Sequence, residues 1–150
     1  ILADDLCTSV HDSVISQMIG VYNTYQCSIV AIQEVPDNQT QNYGIVSGKP
    51  IDDSNDIYQV DDMVEKPLKN APSNMAIIGR YTLTPDIFNI LKNIKPDKNG
   101  EIQITDALLV QAKRGKVIAY KFKGRRFDCG SVKGYLEATN YFANKLSINI

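Results

Sequence analysis

The chain has 150 residues, 43% of them hydrophobic and 22% charged, with a net charge of −1. That length suffices for one domain with a real core, and the charge gives no field toward nucleic acid or an anionic membrane. No apolar run approaches the roughly 20 residues of a membrane-spanning helix.

The three widely spaced cysteines, Cys7, Cys27 and Cys129, form no C-x-x-C pair. Neither a disulfide framework nor a thiolate zinc site is suggested, and a reducing cytoplasm is expected. The opening Ile1-Leu2-Ala3-Asp4-Asp5-Leu6 is no signal peptide. It reads as the end of a buried strand whose start lies upstream, so the chain is expected to begin in mid-domain. Apolar residues at Val14, Ile15, Met18, Ile19 and Tyr22 predict a helix up to Tyr25, with Asp12 or Ser13 as N-cap. The apolar run from Cys27 to Val35 predicts a strand buried on both faces and stopped by Pro36.

A polar turn over 37–42 precedes a short strand, Tyr43-Gly44-Ile45-Val46. An acidic loop over 48–56 then leads into a strand from Ile57 to Val60. Asp61-Asp62 reads as a tight turn, and Met63-Val64-Glu65-Lys66 ends at Pro67. Another strand is expected from Met75 to Leu83, and Thr84-Pro85-Asp86 has the chemistry of a helix start. That helix carries Ile87, Phe88, Leu91 and Ile94. A further helix begins near Thr105-Asp106, where either residue serves as a cap, and ends at Gly115. Strands from Val117 to Phe122 and Arg126 to Cys129 bracket Gly124. A last helix follows Gly130-Ser131 and turns Val132, Tyr135, Leu136, Thr139 and Phe142 inward. Strands alternating with helices, several joined by short turns, give an α/β class with a mixed sheet.

Several standard sites are excluded. There is no G-x-G-x-x-G, P-loop or H-E-x-x-H pattern, and the single histidine, His11, reads as a surface or capping residue. Asp52, Ser54 and Asp56 imitate the opening of a calcium loop but fail at Ile57 and Met63, where Gly and Glu are required. Residues 113–126 carry Lys113, Arg114, Lys116, Lys121, Lys123, Arg125 and Arg126. Ile118, Tyr120 and Phe122 alternate with Lys121 and Lys123, the pattern of an amphipathic edge strand rather than a nucleic-acid surface. Two acidic spots remain, Asp4 or Asp5 where one apolar strand ends and Asp128 at the end of another. A carboxylate at a buried strand end is costly unless paired or bound to a cation, and ligands gather at such ends. From spacing alone, a shared Mg²⁺ and ordinary turn aspartates are both open readings.

Four motifs in order carry a family resemblance: Val64-Glu65-Lys66-Pro67; Ala71-Pro72-Ser73-Asn74-Met75-Ala76-Ile77-Ile78-Gly79-Arg80-Tyr81; Gly100-Glu101-Ile102-Gln103-Ile104-Thr105-Asp106; and Phe127-Asp128-Cys129-Gly130. Together with Leu2-Ala3-Asp4-Asp5 they resemble the bacterial UTP–glucose-1-phosphate uridylyltransferases, among the sugar-1-phosphate nucleotidyltransferases, over nearly the whole chain. The resemblance implies a Rossmann-like nucleotidyltransferase fold, here its C-terminal portion only. It implies the reaction of UTP with glucose 1-phosphate to UDP-glucose and pyrophosphate; a homo-oligomer is expected besides. By the same resemblance Asp4 and Asp128 hold Mg²⁺, and Glu65 and Lys66 meet the sugar hydroxyls and the sugar phosphate. Catalysis falls to Lys66, Asp4 and Asp128, and Gly44 lies against the glucose ring.

Ala3-Asp4-Asp5 and Asp128-Cys129-Gly130 favour the uridylyl branch over glucose-1-phosphate thymidylyltransferases, which carry Gly-Asp-Asn and Asp-Thr-Gly. The family's Gly-rich phosphate loop and most of its base pocket have no counterpart in the 150 residues. The N-terminal nucleotide-binding half is therefore expected to be absent and the chain alone inactive. A non-catalytic sugar-phosphate binding or oligomerisation module is the alternative from another class.

Overall fold

In a computed structural model of the chain, the structure describes residues 1–51 and 53–147. Five strands form the main body: β2 (Ser28–Glu34), β3 (Gly44–Pro50), β4 (Ile57–Glu65), β5 (Met75–Thr82) and β6 (Val117–Lys121). They bond in the order β2-β5-β3-β4-β6, and β6 returns to β2 to close the ring. Among the described residues only the β2–β6 pairing is parallel, so the sheet is mixed.

The apolar runs of β2 and β6 follow from burial on both faces. Val30, Ile32, Val117 and Ala119 face one core with Ile87 and Ile90 of α2 (Ile87–Leu91) and Ala107, Leu108 and Ala112 of α3 (Ile104–Ala112). Ile29, Ala31, Ile118 and Tyr120 face the other, covered by Val14, Met18 and Val21 of α1 (Val14–Tyr25). Ile118, Tyr120 and Phe122 point inward, while Lys121 and Lys123 reach Glu34 and Asp56, but β6 is not the expected edge strand, because β2 and β4 bond it on both sides.

A separate two-stranded ribbon pairs β1 (Asp5–Thr8) antiparallel with β7 (Arg125–Asp128). The last helix, α4 (Val132–Lys145), packs on it. The ribbon is joined to the ring at β5. Between Ile77 and Tyr81 that strand carries more residues than the facing stretch of β2, and Gly79 there is left-handed at φ +68°. A side chain at Gly79 would collide with Asp5 and Leu2, so glycine lets residues 1–5 lie against the bulge. Arg80 then donates to the Leu2 and Asp5 carbonyls.

Several expectations are corrected. Asp5 begins β1 rather than ending a strand, and Ile1 and Leu2 are exposed. β3 runs on to Pro50, and Asp61-Asp62 lies within β4 rather than in a tight turn. The register steps from Ser47↔Asp62 to Gly48↔Val60, bulging out Asp61, whose carboxylate accepts from the Ser47 hydroxyl at 2.9 Å. α2 is shorter than expected and leaves Phe88 exposed; Thr84 does not cap it but shares its hydroxyl with Ser28 and Gln111.

On α4 the inward residues are Gly134, Ala138 and Ala143, while Val132, Tyr135 and Leu136 stay exposed. The helix sits so close to β7 that a side chain at Gly134 would strike the Asp128 carbonyl. Small residues therefore make the contact, and of the residues expected to face inward only Phe142 reaches Phe127, at a ring separation of 6.1 Å. Ser13 and Ser131 cap α1 and α4 as side-chain acceptors, and Gly115 is left-handed past α3 at φ +69°. Of the acidic stretch that imitates a calcium loop, Asp52 lies outside the described residues.

Candidate active site

Antiparallel pairing places Asp5, at the start of β1, directly opposite Asp128, at the end of β7. The period of a strand puts Arg126 on the same face as Asp128. Its guanidinium is buried and bonds the Asp5 carboxylate, reaches Asp128 Oδ2 at 3.3 Å and lies over the Tyr43 ring. The Tyr43 hydroxyl donates to Asp128 Oδ2 at 3.1 Å. Burial pushes the Asp5 carboxyl above its ordinary range, the Arg126 charge opposing this without cancelling it.

Asp128 Oδ1 remains on the open side, where it accepts the Gly130 N–H at 3.2 Å. Asp4 comes to the same place. Its Oδ2 and Asp128 Oδ1 lie 3.0 and 3.2 Å from the point where a side chain on Gly130 would begin. The Cys129 N–H donates to the Asp4 carbonyl at 2.8 Å. Gly130 thus keeps open the space that the two carboxylates share.

The ring supplies the other wall. Gly44 and Glu65 are direct partners across β3 and β4, and Lys66 follows with left-handed backbone at φ +45°. Its N–H still donates to the Tyr43 carbonyl at 3.0 Å, so the chain turns sharply while the ladder continues one bond further. The Lys66 side chain is 64% exposed and its Nζ stands 4.0 Å from Glu65 Oε1. Glu65 Oε2 accepts from the Thr105 hydroxyl at 2.6 Å. Tyr81, nearby on β5, is pushed up to about 12 by burial first and then by the Glu65 and Asp5 carboxylates, and stays a neutral phenol.

Ribbon and ring enclose one cleft of about 500 Å³ lined by Asp4, Tyr43, Glu65, Lys66, Arg126 and Asp128 among others. Gly44 is buried beneath Glu65 rather than in that wall. A larger cavity beside Pro67 and Asn74 contains none of these groups.

The family model for nucleotidyl transferases matches residues 1–145. The chain belongs to the nucleotidyl transferase family. This nucleotidyl transferase chain is 60% identical over 143 residues to a UTP–glucose-1-phosphate uridylyltransferase of Pseudomonas aeruginosa, covering 94% of this chain and 50% of that protein. It is 40% identical over 146 residues to UTP–glucose-1-phosphate uridylyltransferase 2 of Staphylococcus saprophyticus, covering 97% and 50%. A crystal structure of a UDP-glucose pyrophosphorylase complexed with UDP-glucose superposes with a TM-score of 0.91 at 58% identity, over 97% of this chain and 55% of that one. The chain spans about half the length of the curated relatives it matches.

In this nucleotidyl transferase chain the cleft and its supports include residues that the sequence pattern placed elsewhere. Thr105, expected as a cap, is buried in the first turn of α3 with its hydroxyl on Glu65; Gln103 stands at the cap, and no side chain closes the helix end. Arg126, grouped with a solvated basic strip, is buried between Asp5 and Asp128. The signal for Arg126 was its position two before Asp128; Thr105 had only its place in a family motif. Among the described residues no group of three or more His, Cys, Asp or Glu forms a metal-holding cluster, and no helix is long and apolar enough to cross a membrane.

Proposed function

We propose that this chain forms the sugar-phosphate side of a cytoplasmic UTP–glucose-1-phosphate uridylyltransferase. In that reaction the glucose 1-phosphate oxygen attacks the α-phosphorus of UTP, giving UDP-glucose and pyrophosphate. The observation that carries the reading is the convergence of Asp4, Asp128, Glu65 and Lys66 on one cleft. The likeness to relatives of that name supports it.

Phosphoryl transfer leaves the protein little covalent work; alignment and charge dominate. Lys66 brings a compact cation on a mobile stem to the sugar phosphate. Glu65 accepts from sugar hydroxyls through Oε1, and a site built that way rejects analogues lacking them. Gly44 supports Glu65 from below. Asp4 and Asp128 fit Mg²⁺, which takes one or two carboxylates and completes its shell with phosphates and water. When bound it would neutralise charge on the phosphates of both substrates. Arg126 and Tyr43 occupy Asp128 Oδ2 and so hold Oδ1 toward Asp4.

The family's phosphate loop and base pocket, expected in an N-terminal nucleotide-binding half, have no counterpart in this chain, which spans about half the length of its curated relatives. The purified chain is therefore expected to bind glucose 1-phosphate and to form no UDP-glucose from UTP, glucose 1-phosphate and Mg²⁺. Amide shifts at Gly44, Glu65 and Lys66 on titration with glucose 1-phosphate test the first part, and product chromatography the second. UDP-glucose made by the pure chain, or no shift at those residues, overturns the reading. Self-association as a homo-oligomer is measured by sedimentation velocity on the same sample.

A further inference from the structure

Thr105 occupies the second position of α3, where a threonine hydroxyl commonly serves its own helix by bonding a carbonyl a turn earlier. Here it crosses to β4. The residue is 2% exposed, and its single proton goes to Glu65 Oε2 at 2.6 Å, the short distance of a charge-assisted bond. The same pair sits above Gly44. A methyl group there would meet Glu65 Oε2 at 3.0 Å and Thr105 Oγ1 at 3.2 Å. Glu65 is thus held from two sides: Oε2 is fixed by Thr105, and Oε1 is turned toward Lys66 and the cleft.

We propose that Thr105 is a positioning residue for sugar selectivity: by holding Glu65 Oε2 it sets the direction in which Oε1 meets the sugar hydroxyls. The proposal rests on Glu65 being the hydroxyl acceptor. A carboxylate free to rotate about its last bond accepts from hydroxyls in many directions. One pinned at a single oxygen offers its remaining lone pairs at fixed angles and separates an equatorial hydroxyl from its axial epimer. Thr105 itself lies behind Glu65 and does not line the cleft.

The test measures, by calorimetry on the 150-residue chain, affinities for glucose 1-phosphate, galactose 1-phosphate and inorganic phosphate. The native chain is expected to prefer glucose 1-phosphate over both. Thr105→Val, which keeps the shape, should reduce that preference about tenfold, the scale of a lost hydrogen bond to a charged group, with inorganic phosphate unaffected. Thr105→Ser should restore it. In a Glu65→Gln background, Thr105→Val should change nothing further. A Thr105→Val chain that keeps the full preference overturns the proposal, as does an equal loss in the Glu65→Gln background. If Thr105→Val does not fold, Thr105→Ala against Thr105→Ser gives the same comparison, and equal preferences in those two overturn it. A native chain that binds glucose 1-phosphate no better than inorganic phosphate removes the role of Glu65 and the proposal with it. Loss in Thr105→Val alone leaves Glu65 standing and identifies Thr105.

Discussion

Asp5 and Asp128 are direct partners across β1 and β7, yet only one of the two carboxylates is buried: the Asp5 side chain is 8% exposed and the Asp128 side chain 40%. That difference decides which neighbouring acid shares space with Asp128. Asp5 is committed to Arg126 and backs onto Gly79, while Asp4 stands with Asp128 on the open side of Gly130.

The Asp5–Arg126 pair is buried on both sides, so removing one partner strands the other. Arg126→Met is expected to cost roughly 3–5 kcal/mol in urea unfolding, the scale for an uncompensated buried charge. Arg126→Met with Asp5→Asn should recover much of it. The single variant should also be more stable in acid. The Asp5 carboxyl already titrates above its ordinary range because of burial, and without Arg126 it rises further. A raised carboxyl favours the folded state while protonated and loses that advantage as pH rises through its folded value. The deficit should therefore shrink from pH 7 toward pH 5; a constant deficit contradicts this account.

Lys66 separates backbone cost from side-chain function. Its left-handed φ of +45° costs an ordinary residue about 1 kcal/mol, and glycine has no such penalty. Lys66→Gly is expected to equal or exceed the native chain in thermal stability, whereas Lys66→Ala should not. Both should lose affinity for glucose 1-phosphate alike, since both lack the ammonium. A Lys66→Gly chain that keeps full affinity would remove Lys66 from phosphate recognition.

Gly44→Ala presses on the Glu65–Thr105 bond at 3.0 to 3.2 Å and on Ile77 at 3.3 Å. Overpacking of this kind costs about 1–3 kcal/mol. The fold should survive, with glucose 1-phosphate binding falling by more than inorganic phosphate binding. An equal fall for both ligands would place Gly44 outside the sugar-reading machinery.

Asp97 gives a pH response away from the cleft. Its carboxylate accepts from the Asn99 and Glu101 N–H groups at 2.8 and 3.0 Å and from the Gln103 amide at 3.0 Å. The Glu101 N–H above all, then Gln103 and Asn99, hold its carboxyl below the ordinary range. A lowered carboxyl stabilises the fold above its unfolded value, about 3.9, and loses that contribution as pH falls through the folded value. Hydrogen exchange at Asn99 and Glu101 should accelerate below about pH 4 relative to the trend of other exposed amides. Asp97→Asn should abolish that excess.

How much of this was legible depended on whether one residue's neighbours decided its role. β2 was readable because burial on both faces leaves an unbroken apolar run, whereas β6 looked like an edge strand because Lys121 and Lys123 do not reveal that β2 and β4 flank it. Gly115 was readable because a left-handed helix exit favours glycine. The bulge at Asp61 was hidden because two adjacent aspartates look like a turn until Gly48 and Ser47 are placed across from them. The inward face of α4 was misjudged because large apolar residues attract attention, whereas close approach to β7 selects Gly134 and Ala138. Thr105 looked like a cap because a threonine at a helix start has two uses, and only the distance to Glu65 chooses between them.

The attachment of the ribbon to the ring through Gly79 and Arg80 has an evolutionary consequence. Glu65, Lys66, Gly44 and Thr105 ride on the ring and α3, whereas Asp128 ends β7 of the ribbon and Asp4 precedes β1. The two frameworks meet at the β5 bulge, at Tyr43 and where Cys7 packs on the core beneath α1. A lineage can then exchange one sugar for another by altering β3, β4 and α3, leaving the acids of the ribbon untouched. Drift at Gly79 or Arg80 acts differently: it moves the acids as a unit against the sugar, and selection on those two positions should be severe although neither lines the cleft.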